Sequence, residues 1–184
     1  MSRLIVRDNV VLVIIDVQDK LLNVVQSKDE VINNILKLVK VCKILNIPII
    51  ITEQYPKGLG RTNQKLIETL SNDYAPIEKT TFSCFKVKEF EERLLKLGRK
   101  TLILTGLETH ICVLQTALEA IDKGYRVLVC VDAISSRRRE DHTYALERMK
   151  IHGIELTTVE TIIYELIEDA VKPEFKEVLK IVKE

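Results

Sequence analysis

The chain has 184 residues, of which 46% are hydrophobic and 30% are charged, and its formal net charge is +1. This composition suits a globular protein with one sizeable core, so we predict a single domain over residues 1–184. A net charge near zero gives no electrostatic footprint for a nucleic-acid or anionic-membrane partner. The compact basic run Arg137–Arg139 is too short to provide one.

The sequence carries no signal for export or for membrane insertion. The start, Met1–Arg7, lacks the long apolar centre of a secretory signal, and the longest apolar run, Val10–Ile15, is too short to cross a bilayer. The four cysteines have no C-x-x-C spacing, which is typical of reduced thiols rather than of a disulfide framework. We therefore expect a cytoplasmic protein with no membrane partner.

Short apolar runs alternate with amphipathic stretches along the chain. The predicted strands are Val10–Ile15, Ile47–Ile51, Ala75–Glu78, Thr101–Thr105, Tyr125–Val131 and Ile154–Thr158. The predicted helices cover residues 29–45, 61–71, 87–97, 109–123, 139–152 and 160–182, with the last one divided at Pro173. Because the strands are apolar on both faces and alternate with helices, the pattern predicts a three-layer α/β/α fold around a parallel sheet.

Chemically capable side chains follow the predicted strands at their carboxyl ends, where such sheets bind ligands. Asp16 ends the first strand, Lys79 ends the third, and Cys112 falls in the first turn of the helix after the fourth. Unpaired N–H groups in a first helical turn favour a thiolate, so Cys112 is a candidate nucleophile. Asp16 would then act as general base and acid, with Lys79 holding the thiolate.

Each of these signals is weak by itself. A carboxylate after a strand, such as Asp16, is also a common helix cap, and a lone lysine such as Lys79 is usually a solvated surface residue. The joint placement of the three groups is what predicts a site.

Three motifs resemble the isochorismatase-like cysteine hydrolases, namely V-L-V-I-I-D-V-Q-D-K-L, E-K-T-T-F-S-C-F and T-G-L-E-T-H-I-C-V-L-Q-T-A-L. Together with V-D-A-I-S-S-R they extend the likeness over residues 8–170. The resemblance implies a Cys112–Asp16–Lys79 triad, a six-stranded sheet in the order 3-2-1-4-5-6, and a homo-oligomer. It also implies a cis peptide bond before Glu108, with the N–H groups of Glu108 and Cys112 forming an oxyanion hole.

The chain departs from the metal-binding members of this family. Nicotinamidases hold a metal with an Asp-x-His after the second strand and a further histidine, whereas this chain has Thr52-Glu53-Gln54-Tyr55 there. Glu53 alone is a poor zinc site, because zinc usually takes four N, S or O ligands. We predict no metal and no cofactor.

The candidate wall of the substrate pocket consists of Gln18, Tyr55, Phe82, Thr109 and His110. For Tyr55 and Phe82, ordinary packing is an equally good interpretation. His110 lies two residues before the nucleophile, but neighbouring helical positions point in different directions, so we expect no direct pair with Cys112. Cys84 is interpreted as a packing residue that is also close enough to Cys112 to be considered for oxidative pairing.

These features predict a metal-independent hydrolase that cleaves a C–N bond of a small amide-like substrate through a thioester. Family members that cleave the vinyl ether of isochorismate often lack the cysteine, so the presence of Cys112 favours amide chemistry. Three alternatives stay open: an isochorismatase-type ether hydrolase, a non-catalytic binding protein of the same fold, and a phosphatase with Asp16 as nucleophile. The phosphatase would need a second acid where this chain has Gln18.

Overall fold

A computed structural model describes residues 4–184 and shows one sheet of six strands with helices on both faces. The strands are β1 (Val10–Ile15), β2 (Ile49–Gln54), β3 (Ile77–Lys79), β4 (Thr101–Leu107), β5 (Arg126–Ser135) and β6 (Glu155–Thr157). Neighbouring strands pair in parallel in the order β3-β2-β1-β4-β5-β6. The predicted α/β/α fold and its strand order are therefore confirmed.

Helices connect the strands throughout the described part of the chain. They are α1 (Asp19–Leu22), α2 (Lys28–Ile44), α3 (Pro56–Leu59), α4 (Gln64–Leu70), α5 (Lys88–Leu97), α6 (Leu114–Asp122), α7 (Arg139–Ile151), α8 (Val159–Ile167) and α9 (Phe175–Val182). A π-helical turn, Thr109–Val113, precedes α6. From residue 4 onward, no helix combines the length and the apolar character needed to span a bilayer.

Strand β1 divides the apolar core into two layers. All six of its residues are buried. Val10, Leu12 and Ile14 pack into the layer that contains α2 and α8, whereas the alternate residues of β1 pack into the layer that contains α5 and α6. This alternation follows from the two-residue period of a strand. Burial of each such side chain contributes about 1.5–3 kcal/mol to the stability of the fold, so β1 is a major part of the apolar core.

Several element boundaries differ from the predicted ones. Strand β2 starts two residues later than predicted and continues through Gln54, because polar side chains at its end are buried against partners. Helices α1 and α3 were not predicted, since four residues are too few to show a helical period. The predicted helix over 160–182 is two helices, and Pro173 lies between them as expected.

The strand order reverses between β1 and β4, which are neighbours in the sheet. Gly106 makes their close approach possible near the carboxyl ends. Its φ is 113°, and a Cβ built there would lie 2.0 Å from the carbonyl oxygen of Ile15. Only glycine fits both the conformation and the space. The segments that leave β1 and β4 therefore emerge side by side.

Candidate active site

Asp16 is the first residue after β1 and its carboxylate is fully buried. Its φ of 53° places the backbone in the left-handed region, which aspartate adopts more readily than most residues. Thr52 Oγ1 donates to Asp16 Oδ1 at 2.7 Å, and Lys79 Nζ lies 2.6 Å from Asp16 Oδ2. Both carboxylate oxygens are thus held by side chains from the two strands on one side of β1.

The ammonium group of Lys79 contacts most of the other groups of the site. Besides the carboxylate, it contacts Gln54 Oε1 at 2.6 Å, the carbonyl oxygens of Phe82 at 3.1 Å and Thr81 at 3.2 Å, and Cys112 Sγ at 3.5 Å. An ammonium has three hydrogens for these five acceptors, so its donors are shared. The side chain is fully enclosed, and the charge therefore acts in a low-dielectric environment.

Cys112 lies in the π-helical turn and is 5% exposed. The sequence placed this residue in the first turn of an α-helix, but α6 begins two residues later, at Leu114. This difference does not separate the thiol from Lys79, whose Nζ lies 3.5 Å from Cys112 Sγ. The structure thus brings together the sulfur, the carboxylate and the ammonium that were predicted to meet.

The protonation preferences of the three groups depend on one another. Burial raises the pKa of Asp16 above its ordinary value, and the charge of Lys79 offsets only part of this. Burial opposes the charged form of Lys79, but the charge of Asp16 and its hydrogen bond leave the pKa of Lys79 raised. The resting pair is a carboxylate and an ammonium that stabilise each other.

The thiol of Cys112 departs from the expectation of a resting thiolate. Burial raises its pKa well above the ordinary value, and the nearby charge of Asp16 raises it further, whereas Lys79 lowers it. The physical reason is that one buried ammonium already compensates one buried carboxylate, so a second anion lacks a partner. These influences favour the protonated thiol over the thiolate in the resting site.

The peptide bond between Leu107 and Glu108 is cis. The carbonyl oxygen of Glu108 accepts hydrogen bonds from the N–H groups of Ile111 at 3.1 Å and Val113 at 3.3 Å, which close the turn that carries Cys112. Among the described residues, the Glu108 N–H has no hydrogen-bond acceptor. A free backbone donor thus lies at the base of the turn.

Two site residues, Thr52 and Gln54, were noticed in the sequence only as strand-end residues without a role. Gln54 accepts from Lys79 and donates through Nε2 to the carbonyl oxygen of Thr80 at 2.8 Å, which ties the segment after β3 to β2. The available signal was their position at the carboxyl end of a strand beside β1. That position indicates that a residue lies near the site, but it does not show which side chain the residue will contact.

Gln18 was predicted to line the pocket, and in the structure its amide is engaged by the backbone of the loop after β2. Its side chain is fully buried, and its Nε2 donates to the carbonyl oxygens of Gln54 at 2.9 Å and Gly60 at 2.6 Å. Its Oε1 accepts from the Gln54 N–H at 2.8 Å. Both ends of the amide are occupied in holding the loop that follows β2 against the end of β1.

Thr109 and His110 also have partners of their own. Thr109 is fully buried and its Oγ1 lies 2.9 Å from His142 Nδ1. His110 Nδ1 lies 2.9 Å from Ser136 Oγ, and its Nε2 is 3.8 Å from Asp141 Oδ2. As expected, His110 is directed toward these groups rather than toward the thiol.

The two aromatic candidates are both about half exposed. Tyr55 and Lys79 are among the residues that line a surface cavity of about 580 Å³, together with Lys57, Thr81 and Lys86. The ring of Phe82 is not part of that lining, although its carbonyl oxygen contacts Lys79. Tyr55 is thus the candidate that borders a cavity beside the site.

The carboxylate that was considered as a metal ligand, Glu53, is occupied by protein donors. Its Oε1 accepts from the Thr62 N–H at 2.6 Å, from Thr62 Oγ1 at 2.8 Å and from the Tyr74 hydroxyl at 2.5 Å. Over residues 4–184, no group of three or more His, Cys, Asp or Glu side chains is arranged to hold a metal ion. The predicted absence of a metal remains a prediction.

Cys84 lies behind the site as a buried, unpaired thiol. Its Sγ is 3.9 Å from Thr52 Oγ1, and its backbone N–H donates to Thr116 Oγ1 at 3.1 Å. Burial, with a smaller effect of the Asp16 charge, raises the pKa of Cys84 to about 12. The packing interpretation fits these contacts, and oxidative pairing with Cys112 remains a prediction.

Comparison with known proteins gives consistent matches over most of the chain. Residues 10–161 match the isochorismatase domain. Isochorismatase domain-containing protein 2 of Xenopus laevis is 40% identical over 175 residues, which cover 95% of this chain and 83% of the relative.

Solved structures resemble the whole fold. The structure of MAR1 ribonuclease from Caenorhabditis elegans has a TM-score of 0.91 and 39% identity, and the match covers 98% of this chain and 92% of that one. YcaC from Pseudomonas aeruginosa, solved with hexane-2,5-diol and covalent acrylamide, has a TM-score of 0.90 and 26% identity, with the same coverage of both chains. The similarity therefore includes every strand that carries a residue of the site.

Proposed function

The chain belongs to the isochorismatase family, a superfamily of hydrolases, and we propose that it is a metal-independent cysteine hydrolase of small amide-like substrates. The observation that carries this proposal is the position of Lys79 Nζ, within 2.6 Å of Asp16 Oδ2 and 3.5 Å of Cys112 Sγ. A nucleophile, a proton acceptor and a fixed cation around one enclosed point are the parts that acyl transfer through a thioester requires.

The raised pKa values suggest how the proton moves. Cys112 begins as a thiol, and its proton passes to Asp16 as the sulfur attacks the substrate carbonyl. The carboxyl group then gives this proton to the departing amine when the C–N bond breaks. Water hydrolyses the thioester with Asp16 again as the base. Throughout this cycle Lys79 stabilises whichever neighbour carries the negative charge.

The developing oxyanion needs hydrogen-bond donors that are already in place. The free N–H of Glu108 at the base of the turn supports the expected role of this residue, together with the N–H of Cys112, in an oxyanion hole. One such donor is typically worth about 3 kcal/mol of transition-state stabilisation.

The donor set supports chemistry without a metal. Asp16 is paired with Lys79, and the carboxylate oxygen Glu53 Oε1 is occupied by Thr62 and Tyr74. A divalent ion would have to displace these contacts to acquire carboxylate ligands. We expect turnover to be unchanged by EDTA.

The covalent acrylamide reported for YcaC supports a reactive nucleophile in a protein of this fold, because a thiol adds to the double bond of acrylamide and leaves the amide intact. The ribonuclease name of the C. elegans relative points to a different substrate. An RNA strand needs an open groove lined with cations, whereas Cys112 is 5% exposed and the chain has a net charge of only +1. We therefore favour a small molecule.

The proposal is tested with a panel of small amides and ureas, assayed for ammonia release, with isochorismate and a single-stranded RNA as further substrates. We expect release of ammonia from at least one amide, loss of that activity in Cys112→Ala and Asp16→Asn, and an acyl-enzyme mass on Cys112 after rapid acid quench. Activity retained by Cys112→Ala would falsify the mechanism. Cleavage of isochorismate without an acyl-enzyme would instead favour the ether hydrolase.

We also propose that the chain forms a homo-oligomer, as the family resemblance implies, and that it is cytoplasmic, as the pattern of unpaired cysteines indicates. Light scattering after size-exclusion chromatography measures the mass directly. A monomer at micromolar concentration would contradict this part of the proposal without affecting the mechanism.

A further inference from the structure

Three consecutive residues ahead of the nucleophile are each bonded to one short segment of the chain. We call this segment, Ser136–His142, the bracing segment. Thr109 is hydrogen-bonded to His142, and His110 is hydrogen-bonded to Ser136. Glu108 accepts hydrogen bonds from Arg137. The residues that lead into Cys112 from Glu108 to His110 are therefore all hydrogen-bonded to the bracing segment.

The contact of Glu108 is the most extensive of the three. Its Oε2 accepts from the Arg137 N–H at 2.9 Å and from Arg137 Nε at 3.2 Å, while its Oε1 lies 2.9 Å from Arg137 Nη2. The Glu108 side chain is 4% exposed, and that of Arg137 is 55% exposed. A two-point contact between guanidinium and carboxylate fixes orientation as well as charge, which a single ion pair does not do.

The bracing segment is itself anchored to the rest of the fold. Ser135 Oγ donates to the carbonyl oxygen of Gln26 at 2.7 Å, and the Gln26 N–H donates to the carbonyl oxygen of Ser136 at 3.3 Å. The His142 N–H donates to the carbonyl oxygen of Arg138 at 3.2 Å, as α7 begins. Arg137 thus projects from a fixed backbone rather than from a free loop.

We propose that Arg137 is a positioning residue for the oxyanion site, acting through the side chain of Glu108. This inference rests on the proposed function. The side chain of Glu108 is held by Arg137, its carbonyl oxygen closes the turn that carries Cys112, and its N–H is the free donor. One residue therefore links the guanidinium, the nucleophile and the donor. Misalignment of such a donor weakens its bond to the oxyanion while the nucleophile stays intact.

The test uses a probe that forms an oxyanion-like adduct and needs no knowledge of the substrate. Propionaldehyde, labelled with ¹³C at the carbonyl, adds to the thiol: an S–C bond forms, the C=O π pair moves to oxygen, and that oxygen takes the thiol proton. Carbon NMR then gives the dissociation constant of the hemithioacetal on Cys112, with Cys112→Ala as background. Alkylation of Cys112 by iodoacetamide, which forms no oxyanion, is measured in parallel.

We expect Arg137→Met to weaken the adduct about tenfold, less than the 10²–10³ typical of losing a donor outright, while alkylation keeps its wild-type rate. Arg137→Lys should fall between Arg137→Met and wild type, because lysine keeps the charge but not the two-point contact. It also serves if Arg137→Met does not fold. The matched control is Arg138→Met, which removes the same charge from an exposed neighbour and should behave as wild type.

Each contrary result has a separate meaning. An unchanged adduct in Arg137→Met would overturn the positioning role. An equal change in adduct stability and alkylation rate would also overturn it, because general loosening of the turn affects both. Failure of the wild-type thiol to form an adduct, despite normal alkylation, would overturn the proposed carbonyl chemistry and the positioning role with it.

Discussion

Lys79 Nζ lies 2.6 Å from Asp16 Oδ2, and both side chains are completely enclosed. Removing two charges from water is costly, and their attraction repays that cost only while both partners are present. Each of the two residues is therefore stable in its charged form inside the protein only because the other is present. This interdependence makes the pair sensitive to single substitutions and tolerant of a matched double substitution.

We predict that Lys79→Met lowers the free energy of unfolding by about 3–5 kcal/mol, because it leaves Asp16 as an unpaired buried carboxylate. The double variant Lys79→Met/Asp16→Asn should recover most of this loss and remain inactive. Urea denaturation of the two single variants and the double variant measures the coupling. Additive losses would contradict a direct interaction between the two side chains.

The reactivity of Cys112 should depend on pH in the manner of a thiol with a raised pKa. Burial favours the neutral form, so the thiolate fraction is small at neutral pH and should still grow about tenfold per pH unit where an ordinary thiol has levelled off. Iodoacetamide alkylation followed by peptide mass spectrometry measures this. The same cysteine in urea-denatured protein is the reference and should level off near its ordinary pKa. A native plateau below neutral pH would show a resting thiolate.

Thr52→Val removes the hydroxyl that donates to Asp16 Oδ1 at 2.7 Å and keeps the side-chain shape. The loss of a hydrogen bond to a buried carboxylate should cost about 1–3 kcal/mol in the free energy of unfolding. It should also raise the pKa of Asp16 further, because this bond favours the charged form. The acidic limb of the activity profile should move to higher pH.

The matched control for that change is Thr105→Val. Its hydroxyl is also fully buried, but it donates to the carbonyl oxygen of Val13 at 3.3 Å rather than to the carboxylate. We expect a stability loss without a shift of the pH profile. The same shift in both variants would show that Thr52 acts on the fold and not on Asp16.

Gly106→Ala should destabilise the protein more than another glycine in a similar conformation. Its added Cβ would meet the backbone of Ile15 at 2.0 Å, so β4 and β1 would have to separate. Gly124→Ala is the control, because its φ is 79° and nothing lies within 4 Å of its Cβ. We expect about 1–2 kcal/mol for Gly124→Ala, from the left-handed backbone alone, and a larger loss for Gly106→Ala in urea denaturation.

The fold was predictable because the strands are uniformly apolar and the helices between them are long. The boundaries were less so. Strand β2 runs on through Thr52, Glu53 and Gln54, three polar residues that end an apolar run in the sequence. Each is buried or half-buried because it meets a partner from elsewhere in the chain, and no local pattern reveals such partners.

The site followed the same division. The positions of Asp16, Lys79 and Cys112 were predictable because the carboxyl ends of parallel strands converge at one edge. The protonation preference of Cys112 was not predictable from the sequence, because it depends on how many buried anions the Lys79 ammonium must balance. Gln18 was predicted to line the pocket, whereas its amide donates to the carbonyl oxygens of Gln54 and Gly60, partners from a later part of the chain that no local pattern reveals.

The left-handed backbone of Asp16, the first residue after β1, limits which residues can replace it. Asparagine and glycine accept a φ of 53° with little strain, whereas branched and bulky residues do not. We therefore expect exchange of Asp16 for asparagine to remove the carboxylate and leave the chain path intact. Saturation mutagenesis at this codon should yield a short set of folded proteins, and sequence drift at the position should be confined to the same few residues.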